Sequence, residues 1–270
     1  MSDTAASSGF LLPIFTLWSR ELIRFLRQRS RIVGVLAAPL IFWLFIGSGL
    51  GTSFQPSSAA SSSHYLQYFF PGTVVMVVLF TSIFSTMSVI EDRREGFLLS
   101  VLVAPIPRSS LVLGKVLGGT TQALLPGCLF LLLAPTVGFS FQPFQMIQMA
   151  GILFLIAFFL TSLGFFIAWR MDSAQGFHAV VNLFMIPMWL LSGALFPASG
   201  ASPWIQWVMR LNPLTYGVAA LRRTLHGQAA SIAPDVPPLA FSLEITALFA
   251  VLAIVAAMIW AGRPTAANLG

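Results

Sequence analysis

The chain has 270 residues, of which 57% are hydrophobic and only 8% charged, against roughly a quarter charged in an ordinary soluble domain. So few charges cannot cover a solvated surface, which excludes a soluble enzyme and leaves an integral membrane protein. The net charge of +6 is the remainder of 14 basic and 8 acidic residues; these are spread along the chain and follow a topology instead of forming a nucleic-acid patch. The single cysteine, Cys128, excludes an intramolecular disulfide and any cysteine-based metal spacing.

At the amino end, Arg20, Arg24, Arg27 and Arg31 recur at three- and four-residue intervals, which confines them to one helical face, with Leu11, Phe15, Trp18, Leu22 and Phe25 opposite. This spacing predicts an amphipathic helix lying along the inner membrane surface, its arginines toward lipid phosphates or a cytoplasmic partner. No cleavable signal peptide is evident, because the first long apolar run follows this stretch and is long enough to remain as a span. Crossing a core of about 30 Å takes roughly 20 helical residues. Six runs approach that length: 32–50, 69–90, 116–136, 146–169, 179–196 and 243–261. They are continuously apolar and do not alternate, so an all-α membrane protein with six transmembrane helices is expected rather than a barrel.

Basic residues set the orientation. Arg20, Arg24, Arg27, Arg29 and Arg31 precede the first run; Arg93, Arg94, Arg108 and Lys115 lie between the second and third; Arg170 and Arg263 follow the fourth and sixth. The opposite loops hold Arg210, Arg222 and Arg223, so the positive-inside rule places both termini in the cytoplasm. The first external loop, with Ser57, Ser58, Ser61, Ser62 and Ser63, has the composition of a flexible connection. The external segment 197–240 is different: Trp204, Ile205, Trp207 and Val208, followed by Asn212 and Pro213, point to short helices in or dipping into the outer leaflet.

Between the second and third spans stands EDRREGFLLSVLVAPIPR. Charges at Glu91, Asp92, Arg93, Arg94 and Glu95 close a span, Gly96 permits a tight change of direction, and Leu98, Leu99 and Leu102 recur at helical spacing until Pro105 and Pro107. A short amphipathic helix is expected here, its charged start able to make ion pairs to a soluble partner; a solvated turn accounts for the spacing equally well. No phosphate-cradling loop is present: at Gly114 and Lys115 the following residue is Val116, and Ser109 stands where the first glycine would be. His64, His178 and His226 are isolated, so zinc and serine hydrolase chemistry have no local signature.

The 91–108 stretch resembles the coupling loop of type-2 export permeases of the ATP-binding-cassette (ABC) family, in which an E-x-G step precedes a leucine-rich helix and a P-x-x-R ending. LSGALFP at 191–197 and LNPLTYGVAALRRTL at 211–225 resemble that family's fifth-span exit and external re-entrant segment. Phe97 departs from the pattern, since many relatives carry a small polar residue there. Within the family the chain is more similar to the drug, antibiotic and lipo-oligosaccharide exporters than to the polysaccharide ones.

The resemblance implies a membrane subunit made of a cytoplasmic connecting helix, 1–31, and a permease domain, 32–270, with its coupling loop at 91–110. It implies a homodimer that binds two copies of a separate cytoplasmic ATPase, which would hold ATP and Mg; no cofactor or metal is expected in this chain. Glu91, Glu95, Gly96 and Arg108 are the expected ATPase contacts. Thr81, Ser82, Ser85 and Thr86 of the second span, with Asn182, Met185, Met188 and Trp189 of the fifth, are the expected substrate path. Such a wall is weakly polar and uncharged, suited to a hydrophobic or amphipathic cargo, although hydroxyls in membrane helices more often bond their own backbone. Gly47 with Gly51, and Gly114 with Gly118, have the small-xxx-small spacing of close helix packing. The competing readings are a proton-coupled transporter using Glu244 and Asp172, and a membrane scaffold without transport.

Overall fold

The computed structural model describes residues 3–50, 62–140, 142–226 and 236–262. The serine-rich loop at 57–61, Gly51 and Arg263 lie outside them, as do the side chains of Arg29, Arg31, Gly47, Ser62, Ser63 and His64. Among the described residues every regular element is helical. In chain order they are α1 (Asp3–Arg27), α2 (Arg29–Leu50), α3 (Ser62–Ser85), α4 (Met87–Arg94), α5 (Phe97–Val103), α6 (Arg108–Leu131), α7 (Pro143–Trp169), α8 (Ala174–Trp189), α9 (Pro203–Leu211), α10 (Pro213–His226) and α11 (Leu239–Gly262). A π-helical turn, Leu190–Ala194, continues α8, and short 3-10 turns follow α6 and the π turn.

Among the described residues, four stretches are long and apolar enough to cross a membrane: Tyr65–Arg94, Pro143–Trp169, Ala174–Ala194 and Leu239–Gly262. A fifth forms only if α1 and α2, bent by 68°, count as one broken span. α6 has a span's length, 24 residues, but carries Lys115, Thr120, Thr121 and Gln122, which lower its hydropathy. It also starts eight residues earlier than the sequence-based run at 116, because Pro107 is its N-cap and Lys115 is already helical. Local chemistry sets the other boundaries similarly. Pro143 opens α7, where the Gln142 backbone N-H donates to Gln145 Oε1 at 2.9 Å in a reciprocal cap.

α3 is the central helix, packed against α2, α6, α7 and α10. Its residues from Phe69 to Leu79 include Phe69, Phe70, Val74, Val75, Val77, Val78 and Leu79, all without solvent exposure. Close approach is licensed by glycines. A Cβ on Gly72 would sit 2.5 Å from Ala194 Cβ, and one on Gly217 of α10 would sit 2.9 Å from Ile156 of α7.

α1 corrects an expectation. Of its arginine stripe, Arg20 and Arg24 turn inward to carboxylates, while Arg27 is exposed. The helix runs beside the first half of α6 in the same direction, and Leu17, Glu21 and Phe25 form its buried stripe. Ser110 Oγ donates to Phe10 O (3.1 Å), Trp18 Nε1 to Thr121 Oγ1 (3.0 Å), and Gln122 Nε2 to Glu21 O (3.0 Å). The groove that admits α1 is made by Gly114 and Gly118, where a Cβ would come within 2.8 Å of Leu17 Cβ and Glu21 Cβ respectively. Leu11 and Phe15, opposite the arginines, are exposed. The reason is electrostatic: α4 presents two carboxylates to the arginine side of α1.

Candidate functional site

The α4–α5 elbow and its supports form the most elaborate polar site. Gly96 caps α5 with φ +75°, a left-handed conformation that costs an L side chain roughly 1–2 kcal/mol. α4 therefore ends and α5 begins across a two-residue turn, Glu95 and Gly96. α5 buries Leu98 and leaves Leu99 and Val103, four residues apart, on the open side, Val103 at 84% exposure. Glu95 is exposed at the bend.

Beneath the elbow three cations meet three carboxylates. Arg20 grips Asp92 with both terminal nitrogens, at 2.9 and 3.1 Å. Arg24 donates to Glu91 Oε2 at 2.6 Å and to Asp92 Oδ1 at 3.4 Å. Lys115 of α6 pairs with Asp92, with Glu21 Oε1 at 2.5 Å and with Ser88 Oγ at 3.2 Å. Asp92 is completely buried and Lys115 is 4% exposed. Burying a charge is costly unless it is paired and hydrogen-bonded, and here each buried charge has both. The Arg20 guanidinium also lies 3.8 Å from the centre of the Phe97 ring. One α1 side chain thus holds the last turn of α4 and the first residue of α5 on either side of Gly96. Phe97, the departure from the family pattern, supplies the face that makes this possible.

The elbow is braced on its other flank. Arg93 donates to Trp169 O (2.6 Å), Met171 O (3.2 Å) and Asp172 Oδ1 (2.9 Å), and Arg94 donates to Asp172 O (3.0 Å). Asp172 is exposed and ion-paired at the start of the α7–α8 connection, and Glu244 is exposed in the second turn of α11. Of the expected ATPase contacts, Glu95 and Gly96 lie at the bend. Glu91 turns toward Arg24, and Arg108 donates to Ala261 O at 3.0 Å, tying α6 to the end of α11.

The expected substrate-path hydroxyls are all buried within the chain. Thr81 donates to Val77 O (2.7 Å), Ser85 to Ser82 O (2.7 Å) and Thr86 to Ile83 O (2.6 Å), while Ser82 Oγ is buried without a partner. In α8, Asn182 is exposed beside Leu183 and Phe184, Met188 is half-buried, and Met185 and Trp189 are buried. Trp189 Nε1 donates to Gly72 O at 2.8 Å, locking α8 to α3.

The two carboxy-terminal motifs are packed together. Ser192 Oγ donates to Trp189 O (2.6 Å), and Gly193 takes φ +77°. The Gly193 carbonyl accepts from Tyr68 Oη (3.0 Å) and Arg222 Nη2 (2.9 Å). Asn212 caps α10 by accepting from the Leu214 N-H (3.0 Å) and donates to Met188 O (2.6 Å), so the Asn-Pro step between α9 and α10 fixes the end of α8. Sequence reasoning gave no role to Glu21 or Tyr68, counted Lys115 and Arg222 only as loop charges, and placed Asp92 only in a charged start facing a soluble partner. The signal for Glu21, Asp92 and Lys115 was a basic residue about two turns into an apolar helix, Lys115, flanked by glycines that invite another helix.

The ABC-2 type transporter family model matches residues 13–226, from within α1 through α10. The chain is 28% identical over 226 residues to a putative transport permease, ycf38, of Cyanophora paradoxa, covering 82% of this chain and 77% of that one. It is 26% identical over 259 residues to nodulation protein J of Neorhizobium galegae, covering 93% of each. It is 25% identical over 223 residues to the inner membrane transport permease YadH of Escherichia coli K12, covering 79% of this chain and 82% of that one. The matched region takes in the elbow, its ion cluster and both carboxy-terminal motifs, and the chain belongs to the ABC-2 type transporter family of membrane permeases.

Proposed function

We propose that this chain is the membrane-spanning half of an ATP-driven exporter that moves a hydrophobic or amphipathic substrate outward across a bacterial inner membrane. The substrate classes in view are drugs, antibiotics, lipids and lipo-oligosaccharides. Two copies of the chain would form a homodimer, and two copies of a separate cytoplasmic ATPase would bind and hydrolyse ATP with Mg. Six spans, with α2 and α6 added to the four apolar stretches, would put both termini in the cytoplasm. The carrying observation is the α4–α5 elbow: a short helix with exposed Leu99 and Val103, hinged at a left-handed glycine and clamped to α1 and α6 by buried ion pairs. A push on α5 would reach three helices at once. Nucleotide would act by favouring one of two packings of the spans, since a ligand shifts an equilibrium only by its differential affinity.

The exposed Glu95 and the apolar pair Leu99 and Val103 are the proposed ATPase contacts, with Glu91 and Arg108 positioning the elbow. Asn182, Leu183 and Phe184 on the open side of α8 are proposed to face the substrate path; the α3 hydroxyls would line it only after α3 rotates. The test is co-purification of the tagged chain in mild detergent. A near-stoichiometric ATPase should be recovered with the wild type and weakened by Glu95→Lys. Repeated recovery of the intact chain without any ATPase would return the choice to proton coupling or a scaffold.

A further inference from the structure

On the elbow side Arg20, Arg24 and Arg93 are paired with carboxylates, while Arg94 and Arg108 donate to backbone carbonyls. At the opposite end, among the described residues, no carboxylate pairs with Arg210, Arg222 or Arg223. Arg223 donates to the carbonyls of Pro237 and Val236. Arg222, only 6% exposed, is held by neutral groups alone: Tyr68 O at 3.2 Å, Gly193 O at 2.9 Å, Tyr68 Oη at 3.4 Å and the Tyr68 ring at 4.1 Å. Its Nε has no partner. A buried cation without a counter-charge is costly, and an anion brought to it recovers that cost.

There is room for one. Arg222 lines a small cavity with Tyr68, Ser192, Met209 and Thr215. A second cavity of about 200 Å³, lined by Gln206, Arg210, Thr215 and Tyr216, shares Ala198, Met209, Thr215 and Pro237 with the first. The two adjoin across these shared residues as a hollow with Arg222 on the lining of one part and Arg210 on that of the other; the side chains of Ser192, Gln206, Thr215 and Tyr216 donate to backbone carbonyls, so the two guanidinium groups are what the hollow offers an anion. The outer side of α9 leaves Trp204, Trp207, Val208 and Leu211 exposed, at the i, i+3, i+4, i+7 spacing of one apolar stripe. Tryptophan on such a stripe suits the headgroup level of a bilayer.

We infer that the hollow between the π turn, α9 and α10 is a binding site for the anionic headgroup, phosphate or carboxylate, of an amphipath in the outer leaflet. The apolar tail would lie along the α9 stripe while the headgroup bridges Arg210 and Arg222. The site is remote from the elbow and needs no ATP, so its test is independent of the transport reading.

The full chain in an uncharged maltoside detergent would be titrated with lysophosphatidic acid, with monoacylglycerol of the same acyl chain and with inorganic phosphate, reading tryptophan fluorescence. Lysophosphatidic acid should bind at least about tenfold more tightly than monoacylglycerol, and Arg210→Gln and Arg222→Gln should each remove most of that preference. Arg210 is exposed, so its variant remains informative if Arg222→Gln unfolds. Competition by inorganic phosphate at equal potency would assign the site to a free anion, and weak competition to the lipid headgroup; both support an anion site. Equal binding of the charged and uncharged lipids, or preference unchanged in a folded Arg210→Gln, would overturn it. So would a charged-lipid preference seen only in Asp235→Asn, since Asp235, next in sequence to Val236, would then be the anion.

Discussion

Lys115 illustrates what a single charge does in this fold. It is about two turns inside α6, yet it is tolerated because Glu21 and Asp92 both reach it. Such a pair contributes little net stability over an apolar replacement of the whole set, but loss of one member strands the others. Lys115→Met should therefore destabilise the chain by about 3–5 kcal/mol, read as a fall in the unfolding midpoint in detergent. Adding Asp92→Asn should recover part of the loss, and a Lys115→Met variant as stable as wild type would show that the cluster is solvated. Sequence reading counted Lys115 as a loop charge in the orientation argument. Its partners are 94 and 23 residues away in the chain, and no local pattern announces them.

At the scale of elements, two glycine-based joints stand out. Gly96 was legible as a change of direction, because a glycine between a charged run and a leucine-rich run has little else to do. Gly114 and Gly118 were legible as small-xxx-small spacing, which the structure resolves into a groove for α1. Gly118→Leu would drive a side chain into Glu21 and push α1 off α6. Overpacking of this kind costs roughly 1–3 kcal/mol, so tryptic cleavage at Arg20 and Arg24 should accelerate by about tenfold or more. Unchanged cleavage would mean that α1 docks without the groove. The face that α1 buries could not be read from its own periodicity. Two stripes compete there, and the acidic end of α4 decides between them by pairing with the arginines.

For the whole molecule, the ion cluster at Asp92 and the Arg222 site at Tyr68 stand at opposite ends of α3 and α4. The 24 residues between them, at about 1.5 Å each, span roughly 36 Å, more than the roughly 30 Å hydrocarbon core. The elbow and the carboxy-terminal motifs around Gly193 and Arg222 are therefore separated by more than the thickness of that core, as the proposed topology requires. In a Cys128→Ser background, Ser100→Cys on α5 should resist a membrane-impermeant maleimide in intact cells, whereas Ser202→Cys before α9 should react. The reverse pattern would invert the proposed topology. Composition and apolar run length by themselves determined that the chain is helical and membrane-embedded, because a bilayer leaves backbone polar groups no other means of satisfaction. They also located the bend at Gly96 and the helices around Trp204 and Asn212, since turn and cap chemistry is local. Only the tertiary structure decided that Arg20 belongs to Asp92 and Phe97, that α1 rests in the glycine groove of α6, and that Arg222 is buried without a counter-charge. Each of those depends on which distant helices become neighbours, and hydrophobic burial, having no direction of its own, does not encode that choice in any single run.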